Sequence, residues 1–497
     1  MHPVIRIGML SALACLLACG GNGKMGVTEL DTASKTLTAP GQPESSTCAV
    51  LPALPSVPSN ARQVTDFGAV PDDEIADDAA IARALAALAP GEWLVFAPGR
   101  YIQASSIYIT TPKVTLWGAG ARLHASNPAD HTLGLRADGV RVYGFELTAA
   151  TDERRSAAEQ ARVSVYRDWT RPGLQRGNVV RGVTIREGDS ADLPHSAGSV
   201  GILVSAATQF TIAENTVRRT LADGIHLNGG SRNGRIVGNT VRETGDDMIG
   251  MVSYLGAGWQ QKLLSDSAWR ARVEAGETQV SDIVVQGNDL ADSYWGRGVA
   301  VVGSRNITVL SNRISGTAYG AAVLVAQEGG YDTPGPRNVR IENNQISRVQ
   351  NTIPPFLPPG TAQADFRARM RAGTLRSGHG AIEVHAVQNA ATDLRDPRLF
   401  GVLELFGVAV LNNSVRSAST DGVRMGASTA PGLIRAARVS FNNLSQLDGT
   451  AVRNLMADPS SARCEGNTLD GATVFANCTL PTDPVASGAA VDCSTLP

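Results

Sequence analysis

The sequence predicts an all-β fold, one chain wound into stacked coils as a parallel β-helix, and three observations carry the prediction. The first is a recurring phrase of alternating apolar residues, then asparagine, then one more apolar residue. It reads FTIAENTV ending on Val217, RIVGNTV on Val241, IVVQGNDL on Leu290, ITVLSNRI on Ile314, VRIENNQI on Ile346 and VSFNNL on Leu444, with a fainter ARCEGNTL ending on Leu469. The second is the period. Asn215, Asn239, Asn288, Asn312 and Asn344 are separated by 24, 49, 24 and 32 residues, and Asn443 and Asn467 are again 24 apart. The third is composition: 52 glycines against 5% aromatics suit small side chains stacked over many tight turns. Period-two alternation makes short strands, and the spacing of three and four that a helical repeat needs is absent. Strands recurring every ~24 residues between Gly/Asn corners stack in parallel at ~4.8 Å per coil, which gives about ten coils and a rod of ~50 Å. The asparagine belongs at one corner, where its amide bonds to the next coil and its backbone tolerates left-handed φ. One β-helical domain is expected from 497 residues.

Taken in order, residues 1–18 read as a signal peptide. Arg6 precedes the apolar run IGMLSALACLLA, which is too short for a membrane span. Leu16-Leu17-Ala18-Cys19 resembles the bacterial lipoprotein signal, in which the cysteine is lipidated; an ordinary secretory signal with an incidental cysteine is the other reading. Residues 19–60 are expected as a flexible tether, 61–480 as the β-helix and 481–497 as a tail. With Gly20 after the cysteine, the expected place is outside the cytoplasm, lipid-anchored, at the outer membrane or in the periplasm. Export permits disulfides. With Cys15 removed and Cys19 lipidated, Cys48, Cys464, Cys478 and Cys493 allow three connectivities, and Cys464–Cys478 is favoured because the two flank one late repeat. No CxxC spacing suggests zinc. Lys+Arg 44 against Asp+Glu 46 leaves no basic field for nucleic acid, while 18% charged and 43% hydrophobic residues belong to an ordered chain.

The helical domain opens with VTDFGAVPDDEIADDAAIARALAALAPGEWLVFAPGRYIQASSIYI, Val64 to Ile109. Asp77-Asp78 are expected to cap a helix running through Leu88 and ended by Gly91, its apolar stripe plugging the first coil. Here the chain resembles the pectin-lyase-like superfamily, whose members begin DFGA…DD-AI-AL…PGxY. The resemblance covers most of 61–480 and implies a single-stranded right-handed parallel β-helix with an N-terminal capping helix. Hydrolases, lyases, epimerases and adhesins share that scaffold. Three stretches break the period: Ala150–Arg176, expected to hold a short helix and Trp169; Gly256–Glu277, helical; and Asn351–Gly378, a Pro-rich loop followed by a helix. Such helical insertions leave at corners and rim one face, often the binding face.

Aligning the coils at their glycine corners stacks Asp223 (ADGIHL), Asp247 with Asp246 beside it (GDDMIGM), Arg297 (WGRGVAV) and Tyr319 (AYGAAVL). Asp223 and Asp247 are one repeat apart, so their Cα atoms should lie ~5 Å apart, and at least one of the three carboxyls should hold a proton near neutral pH. That is what a general acid beside a general base requires. The alternative is aspartate bonding its own backbone in a turn. Three places on, His226 is expected over Gly250, Ala300 and Ala322, which would floor a shallow channel, unless it is an ordinary surface histidine. Tyr254 and Trp295 are placed to stack on sugar rings; Trp259 and Trp269 are expected in the core of the inserted helices. Arg297 reads either as a clamp for a substrate carboxylate or as the ion-pair partner of Asp247. Glu328 is expected to reach the channel from a later coil. Gly378–Gly380, Gly-His-Gly, is expected to be a corner several coils away.

These residues resemble the polygalacturonase family, which presents an Asp before Gly-Ile, Gly-Asp-Asp a coil later, then Gly-His-Gly. The resemblance implies that Asp246 protonates the leaving oxygen while Asp223 and Asp247 activate water, with inversion and without a cofactor. The chain departs from the pattern: Leu221-Ala222 stand where Asn-Thr is usual, Arg297 replaces the histidine, and no lysine follows Lys262. The expected function is a glycoside hydrolase acting as a monomer on a polysaccharide. The alternatives are a uronic-acid lyase or C5-epimerase, with Asp223 and Asp247 holding Ca²⁺ and Arg297 as base, and a non-catalytic surface glycan binder.

Overall fold

The computed structural model describes residues 47–497 except 152, 155–160, 168–172, 190–194, 356–367, 369–371, 373–376, 388–391, 427–432, 457, 475–477, 479–492 and 494–495. Cys19 and Trp169 lie outside the described residues. The rod has three parallel sheets, and each typical coil contributes one strand to each. Sheet 1 runs from Arg62–Gln63 to Ala462–Glu465 and sheet 3 from Ile107–Ile109 to Val452–Asn454. Sheet 2 begins at Gly99–Gln103 and ends in a short antiparallel pair, Thr468–Leu469 with Ala472–Thr473. Sheet 1 has 13 strands on its path, so the expected ten coils are too few and the rod is ~58 Å long. The missed coils lie between Trp93 and Glu187, where strands pair in register without the asparagine phrase.

Inside, like residues stack on like. Ile225, Ile249, Val299, Val323, Ile382, Val423 and Val452 form one unbroken column of sheet 3, all buried. The asparagines form a ladder: Asn215 N and Nδ2 donate to Asn239 Oδ1 at 3.0 and 2.9 Å, and Nδ2 also donates to Val180 O at 3.0 Å. The same bonds continue through Asn288, Asn312, Asn344, Asn413, Asn442 and Asn467. Two expectations are corrected here. The rung near Leu444 uses Asn442 rather than Asn443, and the left-handed φ falls on the residue before each ladder asparagine: Glu214, Gly238, Gly287, Ser311, Asn343, Asn412, Phe441 and Gly466. The asparagine is needed for its amide, which satisfies buried groups that would each cost ~1–3 kcal/mol unpaired.

The capping helix is Asp78–Ala86 and buries Ala80, Ile81 and Ala84. Asp77 makes no cap bond to its own helix. Its carboxylate takes Val70 N at 3.0 Å and Ile102 N at 2.8 Å, while Asp78 takes Ala104 N at 2.9 Å, so the pair rivets the helix to the first coil. The described part of the Ala150–Arg176 insertion contains strand Val163–Tyr166, a rung of sheet 3, rather than a helix. Gly256–Glu277 holds helices Trp259–Ser265 and Ser267–Glu274; Trp259 is buried and Trp269 packs on the core. Helix Pro397–Leu403, capped by Asp396 accepting Arg398 N at 2.9 Å, had no counterpart in the sequence reading. Nearly all of the helix expected in Asn351–Gly378 lies outside the described residues. Among the described residues no helix is long and apolar enough to cross a membrane.

Within the expected tether, residues 47–60 lie on the rod: Cys48 is disulfide-bonded to Cys493, and Arg181 Nη1 donates to Pro52 O at 2.6 Å. Within the expected tail, Arg235 Nη2 donates to Pro497 O at 2.6 Å. Cys464 is disulfide-bonded to Cys478.

Candidate active site

Sheet 3 brings the aspartates together because its register is unbroken. Ile225 pairs with Ile249 and Ile249 with Val299, so the residues two places before them, Asp223, Asp247 and Arg297, occupy one column on consecutive rungs. Each carboxylate anchors the rung above it. Asp223 Oδ1 accepts Asp247 N at 3.0 Å, and Asp247 Oδ1 accepts Arg297 N at 2.8 Å and pairs with Arg297 Nε at 2.9 Å. Arg297 is therefore the ion-pair partner of Asp247. His226 Nδ1 bonds the other oxygen of Asp223, which fixes the ring and keeps it from being a free surface histidine.

Asp246 sits beside this column with its backbone pinned: Thr244 Oγ1 and Ser293 Oγ donate to its carbonyl at 2.8 and 2.9 Å. Gly296 makes room for that segment, since a Cβ there would stand 2.2 Å from the Asp246 carbonyl carbon. The Asp246 carboxylate is met by Arg154 Nη2 at 2.8 Å, from an insertion 92 residues earlier. Sequence reasoning missed Arg154, although its place in a period-breaking insertion was a usable signal.

One oxygen from each of Asp223, Asp246 and Asp247 lies within 4.8 Å of the others. Burial, then neighbouring Asp223, push the Asp246 carboxyl up, with Arg154 and Arg297 opposing. Burial pushes Asp247 up further; Arg297 opposes, while Asp223 and Asp246 add to the rise. Burial works against the Arg297 charge, but Asp247, Glu328, Asp246 and Asp223 outweigh it and hold the guanidinium protonated. The three carboxylates are also the group that a hard cation would use. Four of their six oxygens are engaged by His226, Arg154, Arg297 and backbone N–H groups, so a cation would have to share the cluster with these donors.

The surroundings correct the expected channel. His226 pairs over Gly250 and Gly250 over Ala300, but the next residue is Leu324, because Ala322 faces the interior. Gly250 is buried and Ala300 and Leu324 fully so, so these rungs do not form the open floor expected. Gly250 is the cradle itself: a Cβ there would lie 3.0 Å from Asp223 Oδ2 and 3.1 Å from His226 Nδ1. Tyr319 is not in the aspartate column, where Ala321 stands; it lies two residues earlier and stacks on Trp295 with ring centroids 4.7 Å apart and planes within 5°. Trp295 and Tyr254 keep an exposed face, while the polar end of Tyr254 turns toward the cluster, where loss of solvent and then Asp223, Asp247 and Glu328 raise its phenol. Glu328, at the end of strand Val323–Glu328, does reach this region, since its charge bears on both Arg297 and Tyr254. His379 is a corner, with Gln350 Nε2 donating to its carbonyl at 3.0 Å, yet it is near enough for Arg297 to depress its imidazole.

A family model described as rhamnogalacturonase A/epimerase, pectate lyase-like, matches residues 61–141. No curated protein matches the sequence. Among solved structures, the chain is similar to the catalytic unit of a GH87 α-1,3-glucanase from Streptomyces thermodiastaticus, at 18% identity and TM-score 0.53 over 88% of this chain and 73% of that one. It is similar to the Agl-KA catalytic domain at 16% identity and TM-score 0.52, over 84% and 69%. It is also similar to the A-module of the mannuronan C-5 epimerase AlgE6 of Azotobacter vinelandii, at 16% identity and TM-score 0.51, over 82% and 99%. Three parallel sheets, the asparagine ladder and these likenesses together assign the chain the right-handed parallel β-helix fold of the pectin-lyase-like superfamily.

Proposed function

We propose that the chain is an exported polysaccharide-active enzyme, a glycoside hydrolase in which Asp246 donates the proton to the leaving oxygen and Asp223 and Asp247 position and activate water. The observation that carries this reading is the convergence of three carboxylates within 4.8 Å, with Asp246 and Asp247 both raised by burial and mutual repulsion. A carboxyl raised by burial can serve as a general acid beside a carboxylate base; Asp246 is assigned the acid role because its carboxylate holds no backbone group, whereas Asp223 and Asp247 each hold the N–H of the next rung. Exposed Trp295 and Tyr254 beside the cluster offer apolar faces for sugar rings. The solved structures of similar fold include an α-1,3-glucanase and a mannuronan epimerase, which keeps glycans as the substrate class and leaves the sugar open.

The lyase or epimerase reading is less favoured, because Arg297 would have to give up its ion pair with Asp247 to act as base. Anchoring through a lipid on Cys19, at the outer membrane or periplasmic face, belongs to the same proposal and would be read by mass spectrometry of the mature amino terminus. The test of the activity is a screen of the purified protein against neutral and uronic polysaccharides, following reducing ends and ultraviolet absorbance with and without chelator. New reducing ends with no absorbance gain and no chelator effect support hydrolysis. An unsaturated, absorbing product overturns it in favour of elimination.

A further inference from the structure

A second constellation of titratable groups stands on the same wall, on the far side of the aromatic pair. Asp246, Gly296, Gly320 and His379 each lie three residues before a paired strand residue, Ile249, Val299, Val323 and Ile382, so they share a column. His379 is therefore three rungs from Asp246, ~14 Å along the rod. The residues one place earlier on the two intervening rungs are Trp295 and Tyr319, the stacked pair.

Around His379 its own rung supplies Glu383 and His385, and the next rung supplies Arg424. Glu383 is fully buried and its charge is taken up on all sides: Gly380 N donates to Oε2 at 2.7 Å, His385 Nδ1 bonds Oε1 at 3.2 Å, and Arg424 Nε lies 3.7 Å from Oε1. The His379 and His385 rings are 5.1 Å apart. His379 Nδ1 is buried and makes no hydrogen bond, which marks a polar group awaiting a partner. The side chains of Glu383, His385 and His379 do not close into a metal-binding group, because among the described residues only the three aspartates do.

We propose that His379, His385 and Arg424 form a distal binding point for the glycan that takes an oxyanion carried by the sugar chain, a carboxylate or a sulfate ester, beyond the Trp295–Tyr319 platform. The His385 ring stands against the His379 ring, Arg297 and Arg424 bear on it electrostatically, and the nearby carboxylate, Glu383, is already bonded to Gly380 N and His385 and lies beside Arg424. After burial, it is His385, Arg297 and Arg424 that depress the His379 imidazole, which is the signature of a positive field without a neighbouring free anion. Arg424 also holds the Gly378 carbonyl, which ties the exposed corner to the cluster. A bound oxyanion would complete the imidazole's hydrogen bonding and offset that field.

The inference rests on the glycan reading of the proposed function but not on Asp246 as the acid, and the experiment keeps the two apart. Calorimetric titrations are run on an Asp246→Asn background with tetragalacturonate, a sulfated galactan tetramer, a neutral α-1,3-glucan tetramer and sodium sulfate. Either anionic tetramer should bind more tightly than the neutral one, and His379→Gln and Arg424→Gln should each weaken it ~10-fold while leaving the neutral tetramer unchanged. His379→Gln leaves the Glu383–Arg424 pair intact, so it remains decisive if Arg424→Gln lowers the melting temperature. Equal losses for anionic and neutral tetramers, or none, overturn the distal site alone. Sulfate binding with the same losses while the tetramers do not respond overturns its assignment to a glycan. Binding of no tetramer removes the glycan reading together with the inference.

Discussion

Asp223-Gly224 and Asp421-Gly422 are the same corner built twice, five rungs apart on sheet 3, and only one of them is a candidate for catalysis. Both aspartates stand two residues before the paired strand residue, and both bond the backbone of the next rung: Asp223 Oδ1 accepts Asp247 N at 3.0 Å, Asp421 Oδ1 accepts Thr450 N at 2.7 Å. Their side chains are nearly equally buried, 11% and 8% exposed, so burial does not tell them apart. The next rung does. At Asp421 it brings Gly449 and Thr450, and Arg453 closes over the carboxylate with Nε 2.6 Å from Oδ2. At Asp223 it brings Asp246 and Asp247, and the position matching Arg453 is Gly250. A corner needs one carboxylate and a counter-charge. Asp247 meets that need for the rung above, with Arg297 as its counter-charge, whereas the Asp246 carboxylate holds no backbone group and Gly250 stands where Arg453 closes over Asp421.

The sharpest way to break this comparison is to remove one oxygen from each region. Asp246→Asn should lower kcat by ~10²–10⁴-fold with the melting temperature unchanged, while Asp421→Asn should leave kcat within a few-fold. Comparable kcat losses in both variants would mean that the two corners differ only in sequence. Next in size is an exchange of the covering residue. Gly250→Arg puts a cation over the Asp223 carboxylate as Arg453 does over Asp421, and kcat/KM should fall by ~10²-fold through a locked, fully ionised cluster. Arg453→Gly uncovers Asp421 and should create no activity, because no second carboxylate is there to share a proton.

Stability should separate the regions in the opposite sense. Asp421→Ala leaves Thr450 N–H and Arg453 without their acceptor and should cost ~1–3 kcal/mol in urea unfolding. Asp223→Ala strands Asp247 N–H but also relieves repulsion among the aspartates, so its cost should be the smaller of the two. A larger loss at Asp223 would show that the cluster is held for stability.

Much of this was legible because the fold repeats. Asparagine phrases 24 residues apart give strands, and strands of fixed length carry any residue at a fixed offset into one column; Asp223, Asp247 and Arg297 were placed that way. Where the period is interrupted, the method loses its ruler. Tyr319 was set two residues out of column because its corner, AYGAAVL, has its glycine at a different offset from ADGIHL, and the floor residue was read as Ala322 in place of Leu324 for the same reason. Arg154 meets Asp246 from an insertion whose path no period describes. His379 was set apart as remote since a long insertion separates it from Tyr319 in sequence, though only one rung separates them in space.

The finest distinction between the regions lies in pH. Asp247 is buried beside two other carboxyls and holds its proton above the usual carboxylate range, whereas the unfolded chain releases it at the ordinary value. Between those two values the folded state binds more protons than the unfolded one, so this group's contribution to stability falls as pH rises, and above the folded value it is a constant penalty. Asp247→Asn abolishes the titration and keeps an oxygen to accept Arg297 N. Urea unfolding of wild type and Asp247→Asn should therefore show wild type gaining on the variant as pH is lowered through the folded value toward the ordinary carboxylate range. Parallel curves would mean that Asp247 ionises as an ordinary carboxylate, and that Arg297 neutralises it as completely as Arg453 is arranged to neutralise Asp421.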